Sequence, residues 1–331
     1  FRFILTMEPK QFSTSHEGFV NDVQYDFYGR RLATCATDRR IEVFDQNENG
    51  DWTSSSRWNS HKGQVHKLAW AHPQYGQILA SCSADSVQIW EEQERLDTIS
   101  ANSPQTCWLP RSKLTDSRKD VRDIAFAPYH LGLRIATGSM DGLVRIYMAP
   151  DVSNLQAIIL EKQFHAATTH VNCLAWNPSK FDPPSLVVGG YDSEDHSAHV
   201  RVWRLASERN DWERACDLDK LDYKVNDVAW APNMGRSFHL IAVASQDQKL
   251  KVHTLKRQGS EEMKHESILL TSPRDEEREV LRVEWNVTGT MLVSSCREGG
   301  VQLWKSNFRG SWQEITTVPS PEENDDNEMA I

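Results

Sequence analysis

VHKLAWAHPQYGQILASCSADSVQIW (65–90) holds three short apolar segments separated by two polar turns. Val65 is followed three places on by Leu68 and five places on by Trp70, and strand alternation puts those last two on one face. A second segment opens at Leu79, and six residues beyond it stands Asp85, a residue suited to a tight turn because its side chain accepts hydrogen bonds from nearby backbone N–H groups. VQIW (87–90) then alternates aliphatic and polar and closes on a ring. The same stretch places His72, Cys82 and Asp85 close together, so it reads either as a metal or nucleophile site or as one unit of a repeated fold.

Repetition decides between these. The opening segment recurs as VNDVQY (20–25), VRDIAF (121–126), VNCLAW (171–176), VNDVAW (225–230) and VLRVEW (280–285), at intervals of 45 to 56 residues. Each copy has the second anchor, at Leu32, Ile135, Leu186, Ile241 and Leu292, and six residues later an acid, at Asp38, Asp141, Asp192, Asp247 and, in the last copy, Glu298. Each has the third segment, IEVF (41–44), VRIY (144–147), VRVW (200–203), LKVH (250–253) and VQLW (301–304). The remaining 21 to 31 residues of each interval accommodate a fourth, outer strand. Its candidates are 52–58, 108–114, 155–164, 212–218, 265–271 and 312–318. Six four-stranded units of this length predict an all-β, six-bladed β-propeller over residues 12–318. Residues 1–11 form an N-terminal extension, in which 1–6 read as an added or over-extended start before Met7. The acidic 319–331 reads as a disordered tail.

The columns of the repeat remove most candidate chemistry. Asp85 is one of six turn acids, and Cys82 belongs to the series Cys35, Cys82, Gly138, Gly189, Ala244 and Ser295, a demand for small volume. His72 has no counterpart in the other copies and reads as a surface loop residue. His61, standing four residues before Val65, is placed to bond the turn acid Asp85 and a strand serine, Ser81 or Ser83, with Trp90 packed nearby. Asp38, Asp141, Asp192 and Asp247 are the equivalent acids of the other blades. No phosphate loop, nucleophile elbow, HExxH or paired CxxC is present, so no catalytic residue, cofactor or metal site is predicted.

A formal charge of −10 argues against general nucleic-acid binding, which rests on Lys and Arg neutralising phosphates. No apolar run reaches the length of a membrane span. Six dispersed cysteines in a chain of 331 residues predict free thiols in a reducing compartment.

Beyond the general WD-type repeat, DFYGRRLATCATDRRIEVFD (26–45) and SHKGQVHKLAWAHPQYGQILASCSAD (60–85) resemble the first two blades of small propellers shared by the COPII vesicle coat and the nuclear pore. FAPYHLGLRIATGSMDGLVRIYMAPDVSNLQ (126–156), AWAPNMGRS (229–237) with FHLIAVASQD (238–247), and WNVTGTMLVSS (285–295) favour the Seh-type nucleoporins. That resemblance implies a non-catalytic scaffold: an open propeller completed by a seventh blade from a helical-solenoid nucleoporin. It further implies the other subunits of the Y-shaped complex as partners and a location at the nuclear pore. A second membership would be in a GATOR-type complex of target-of-rapamycin signalling, in the cytoplasm or on the lysosome or vacuole surface. A COPII-coat propeller and a ubiquitin-ligase adaptor are the alternatives. The openness also has a sequence basis, because 312–318 can complete blade six without an N-terminal strand, which leaves the first blade's flank free for strand addition. The expected gap-lining residues are Phe19, Val20, Val23 and Tyr25 of blade one and Val301, Leu303 and Trp304 of blade six.

Overall fold

The computed structural model describes residues 12–84, 86–94, 106–206, 208–258, 262–270, 279–297, 299–307 and 310–318. Asp85, Glu298, most of the polar insertion after the third strand of blade two, the first eleven residues and the acidic tail lie outside the described residues.

Blade one comprises β1 (Val20–Tyr25), β2 (Arg31–Ala36), β3 (Arg40–Gln46) and β4 (Trp52–Asn59), and blade two β5 (Val65–Trp70), β6 (Ile78–Ser83), β7 (Val87–Glu94) and β8 (Thr106–Leu114). Blade three comprises β9 (Val121–Phe126), β10 (Arg134–Ser139), β11 (Leu143–Met148) and β12 (Ile159–His165), and blade four β13 (His170–Trp176), β14 (Ser185–Asp192), β15 (Ser197–Ala206) and β16 (Asp211–Leu221). Blade five comprises β17 (Val225–Trp230), β18 (Phe238–Ser245), β19 (Leu250–Gln258) and β20 (Glu262–Leu270), and blade six β21 (Val280–Trp285), β22 (Met291–Cys296), β23 (Val301–Ser306) and β24 (Trp312–Val318). Every sheet is a four-stranded antiparallel meander in chain order, so the fold is the six-bladed all-β propeller expected from the repeats.

Two local features account for the repeating pattern. The first strand carries aliphatics at its first and fourth positions, a step of three that plain alternation would put on opposite faces. All six blades resolve this with a β-bulge just after the first Val: register shifts fall between Val20 and Asp22, Val65 and Lys67, Val171 and Cys173, Val225 and Asp227, and Val280 and Arg282. The blade-three shift lies opposite Gly138 and Ser139. The bulge inserts one residue and returns the next aliphatic to the face of the first. The small-residue column has an equally direct cause, since a Cβ on Gly138 would lie 2.6 Å from Val171 Cγ1 and one on Gly189 2.9 Å from Val225 Cγ1.

Three sequence expectations are adjusted. The outer strand of blade three starts at Ile159 rather than Leu155, because Leu155–Ala157 form a 3-10 turn capped by the Asn154 side chain, which accepts from Gln156 N. The insertion of blade two is partly strand, with β7 running to Glu94 and β8 starting at Thr106. His253, where other blades have a ring closing the third strand, is fully buried, and its blade pairs β19 to β20 without the bulge that the other five carry between their outer strands. His253 Nε2 instead faces Asp219 Oδ2 of blade four at 3.6 Å.

Buried apolar clusters join blades one and two, two and three, three and four, four and five, and five and six. Among the described residues no such cluster joins blade six to blade one.

Candidate interaction site

The inner strand of each blade packs on the blade before it. In the first-position column, Val65, Val121, Val171, Val225 and Val280 are 0–4 % exposed, but Val20 is 42 % exposed. In the fourth-position column, Leu68, Ile124, Leu174, Val228 and Val283 are 1–5 % exposed, but Val23 is 46 % exposed. Phe19 and Tyr25, which flank these positions in the chain, are exposed as well. The same break shows from the other side. Ala33, Cys35, Ile41 and Val43 of blade one are sealed against blade two, whereas their blade-six equivalents Val293, Ser295, Val301 and Leu303 retain exposure. The two faces thus bound a wedge between blades six and one, bridged near the axis by Arg282 Nη2 donating to Asn21 O at 3.4 Å.

Of the residues expected at this gap, Phe19, Val20, Val23, Tyr25 and Val301 are exposed and Leu303 is half-buried, all at or beside the wedge. Trp304 is a correction. It is 2 % exposed and its indole donates to Ser294 Oγ at 3.0 Å, because its neighbours Leu303 and Lys305 alternate to the opposite face of β23. Phe12 was missed by the repeat, having no column. It stacks edge-on against Phe44 and lies 6.4 Å from Trp52. Trp58 of blade one takes the matching place on blade two, tilted against Trp90 and stacked on Trp108, so Phe12 covers the outer end of blade one where a preceding blade would otherwise reach.

The inner strands also carry polar locks between blades. Asp22 Oδ2 accepts from Leu68 N, Asp123 Oδ2 from Leu174 N and Asp227 Oδ2 from Val283 N, at 2.7–3.0 Å. In return Trp70, Trp176 and Trp285 donate their indole N–H to the carbonyls of Gln24, Ala125 and Ala229. Both bonds occur at the junctions of blades one with two, three with four, and five with six. The alternation is visible in the third column of the inner strands, which reads Asp22, Lys67, Asp123, Cys173, Asp227, Arg282.

All of these but Cys173 line an axial cavity of about 830 Å³, whose wall also includes Val20 and Val23 of the wedge. Burial, partly offset by Lys67 and reinforced by Asp227, pushes the Asp123 carboxyl up to about 6. Burial works against the Lys67 ammonium, but Asp22, 3.8 Å away, and Asp227 hold its pKa above the ordinary lysine value.

Within the blades the turn acids find different partners. In blade one, Asp38 is bonded by His16 Nδ1 at 3.0 Å, and His16 Nε2 lies 2.8 Å from Thr34 Oγ1; burial opposes ionisation of Asp38, yet His16 and the backbone N–H groups of Arg40 and Glu17 hold its carboxyl below the usual range. In blade two, Ser81 is the serine of the network. Its Oγ accepts from Trp90 Nε1 at 2.9 Å and lies 2.8 Å from His61 Nε2, whereas Ser83 Oγ points away and donates to Gln64 O. Blades three and four substitute arginine for histidine: Arg145 bonds Asp141 at 2.6 Å and Arg201 bonds Asp192 at 2.5 Å. Asp247 pairs with Lys249 at 3.1 Å. Ser81→Ala leaves Trp90 Nε1 without its acceptor in a buried site, so urea unfolding of that variant should show a loss of about 1–3 kcal/mol.

Asp192, Asp195 and His199 bring potential ligand atoms within 4.8 Å of one another, but Arg201 already pairs with Asp192 and Lys220 with Asp195, and the group reads as an ion-pair network. Cys35, Cys82 and Cys173 are buried, and burial pushes each thiol well above its ordinary pKa. Burial also pushes the half-buried Cys216 thiol up, to about 11, so native protein at pH 7.5 should react with a thiol reagent fastest at Cys107 and more slowly at Cys216, and at all six cysteines after denaturation. His72, unexplained by repetition, accepts from Gln74 N to cap the turn Pro73–Tyr75 and lies between the rings of Phe27 and Tyr129, at 4.8 and 4.9 Å.

Comparison with known proteins agrees with this architecture. The family model described as "WD domain, G-beta repeat" matches residues 7–45 and 108–147, and that of the "Anaphase-promoting complex subunit 4 WD40 domain" matches 228–317. Nucleoporin SEH1 of Danio rerio is 38 % identical over 92 % of this chain and 85 % of its own length. Nucleoporin SEH1 of Homo sapiens is 39 % identical over 92 % of this chain and 86 % of its own length. A chain from the crystal structure of a mitotic checkpoint complex superposes with a TM-score of 0.63 at 17 % identity, over 88 % of this chain and 76 % of that one, a likeness of fold alone.

Proposed function

The chain belongs to the Nucleoporin SEH1 family of WD-repeat propellers, and from that premise we propose that it is a non-catalytic scaffold subunit of the nuclear pore coat. Its role is to hold a helical-solenoid nucleoporin that inserts a blade into the wedge between blades six and one. The observation that carries this reading is the exposure of Val20 and Val23, in columns where every other blade seals its aliphatics. Covering a Val or Leu side chain contributes roughly 1.5–3 kcal/mol, and the wedge offers several. An inserted strand sequence would also complete the missing apolar cluster, with Val293 and Val301 on one side and Val20 and Val23 on the other.

Identity to nucleoporins over nearly the whole chain favours the pore over the vesicle coat, and no feature of the surface favours a ligase adaptor. A second complex that signals nutrient status would have to use the same wedge, so one molecule serves one assembly at a time. The described helical segments include none long and apolar enough to cross a membrane, and attachment to the nuclear envelope comes through partners.

Affinity purification of the tagged chain from its native cells tests the reading. A helical nucleoporin recovered in equal amount, with the tag at the nuclear rim, is expected. Recovery of the chain alone, or with vesicle-coat subunits at endoplasmic-reticulum exit sites, would overturn it.

A further inference from the structure

The fifth column of the inner strands reads Gln24, Ala69, Ala125, Ala175, Ala229 and Glu284. The four alanines have one cause. Ala69 packs into the cluster containing Val121 and Ile124 of the next blade, Ala125 into that of Val171 and Leu174, Ala175 into that of Val225 and Val228, and Ala229 into that of Val280 and Val283. In blades two to five the side chain at this position faces the following blade, and close approach there accommodates a methyl group; blade one, also followed by a blade, carries the uncharged Gln24. In blade six, where no blade follows, the position holds Glu284.

Glu284 lines the axial cavity where it opens into the wedge, together with Val283 and Ser295. Among the described residues it makes no hydrogen bond or ion pair. The cations nearby are engaged elsewhere: Lys67 sits 3.8 Å from Asp22, and Arg282 sits 3.9 Å from Asp227 and donates to Asn21 O. The cavity wall therefore holds the carboxylates of Asp22, Asp123, Asp227 and Glu284 against the charges of Lys67 and Arg282. Water reaches Glu284 through the open wedge, but the surrounding protein desolvates it, and Asp22 and Asp227 add to that in raising its carboxyl above the ordinary glutamate range, with Lys67 opposing.

Resting on the blade-insertion reading, we infer that the segment entering the wedge carries a lysine or arginine on its axial strand, and that this cation pairs with Glu284. An apolar strand would bury the carboxylate unpaired, which is strongly unfavourable, whereas a cation neutralises it and balances the excess acid of the cavity. The pair acts as a register pin. The apolar contacts of the wedge tolerate a strand shifted along its axis, but a single charge pair at the inner end does not.

The test uses the full chain and the inserting segment of the partner recovered with it, fused to a carrier protein, in titration calorimetry. Glu284→Ala places in blade six the residue that four other blades carry, so the fold should be kept, with an unchanged melting temperature and about tenfold weaker binding. Glu284→Lys should weaken binding by about 100-fold or more, and changing the segment's pairing cation to Glu should restore binding to Glu284→Lys while abolishing it to the wild type. Wild-type affinity in both Glu284 variants would overturn the pairing while leaving blade insertion intact. Failure of the wild-type chain to bind the segment would instead remove the insertion reading and the pairing with it. Self-association of the chain through the wedge, unaffected by Glu284→Lys, would also overturn the inference.

Discussion

Val23→Asp should leave the propeller folded and reduce its affinity for the inserting partner by about 100-fold or more, since the new carboxylate would be desolvated on binding without a partner. The matched substitution Leu68→Asp, at the same column of blade two, should do the opposite and unfold the protein. Val23 is nearly half exposed, so an aspartate there stays hydrated in the free chain; Leu68 is 1 % exposed among Val43, Val65 and Trp90, where a carboxylate has no water and no counter-ion. Its cost, loss of packing plus an unpaired buried charge, is about 4 kcal/mol or more. Thermal melts of the two variants beside the wild type, followed by titration of the folded one with the partner, separate a surface role from a core role for chemically equivalent positions. Equal destabilisation by both would mean that the blade-one face is covered within the free chain.

Asp227→Ala should cost about 3 kcal/mol, a drop of several degrees in melting temperature, and loosen blade six in particular. Asp227 is buried and does two things at once: it accepts the amide of Val283 across the junction and provides the carboxylate nearest to Arg282. Removing it strands a buried N–H and a guanidinium whose pKa is held up, against burial, chiefly by this acid. Hydrogen exchange should show faster exchange at β21 and β22 than at β9 and β10, which Asp123 still ties to blade four. The paired arrangement makes this local: both inner-strand locks fall at alternate junctions, while the junctions between are held by apolar contact and by polar contacts farther from the axis, such as Tyr75 to the Tyr129 carbonyl and Lys251 to Asp219, so the loss of one lock weakens one pair of blades. It also matters for the wedge, because blade six is the wall on which the incoming segment would rest.

The fold was largely legible because six imperfect copies of one unit average out local ambiguity. The anchor, acid and ring recur at spacings that no helix would produce, and the strands lie where those columns put them. The bulge after the first Val was written in the sequence as the step from first to fourth position, but a step of three reads as alternation only once a bulge is allowed. Features carried by one copy were harder. Phe12 and Glu284 belong to no repeat, or break one, and their meaning depends on which neighbour is missing, a fact of ring closure that local pattern does not contain. Trp304 shows the converse: it follows the repeat faithfully, so the same column that buries Trp90 should have placed it in the blade interior rather than at the gap. Arg145 and Arg201 stand in plain view as the second residues of VRIY and VRVW, but the pattern alone does not mark them as taking the place of the histidine of blades one and two.

The central claim is that the Val20–Val23 face is open in the free chain and covered in the assembly. A Val23→Cys variant, with Cys107 and Cys216 replaced by serine, carries one reactive thiol on that face, since the other cysteines are buried. Its rate of maleimide labelling, measured for the free chain and for the complex purified from cells, tests the claim directly. Fast labelling of the free chain and protection of about tenfold or more in the complex are predicted. Slow labelling in both states, or equal and fast labelling in both, would contradict it.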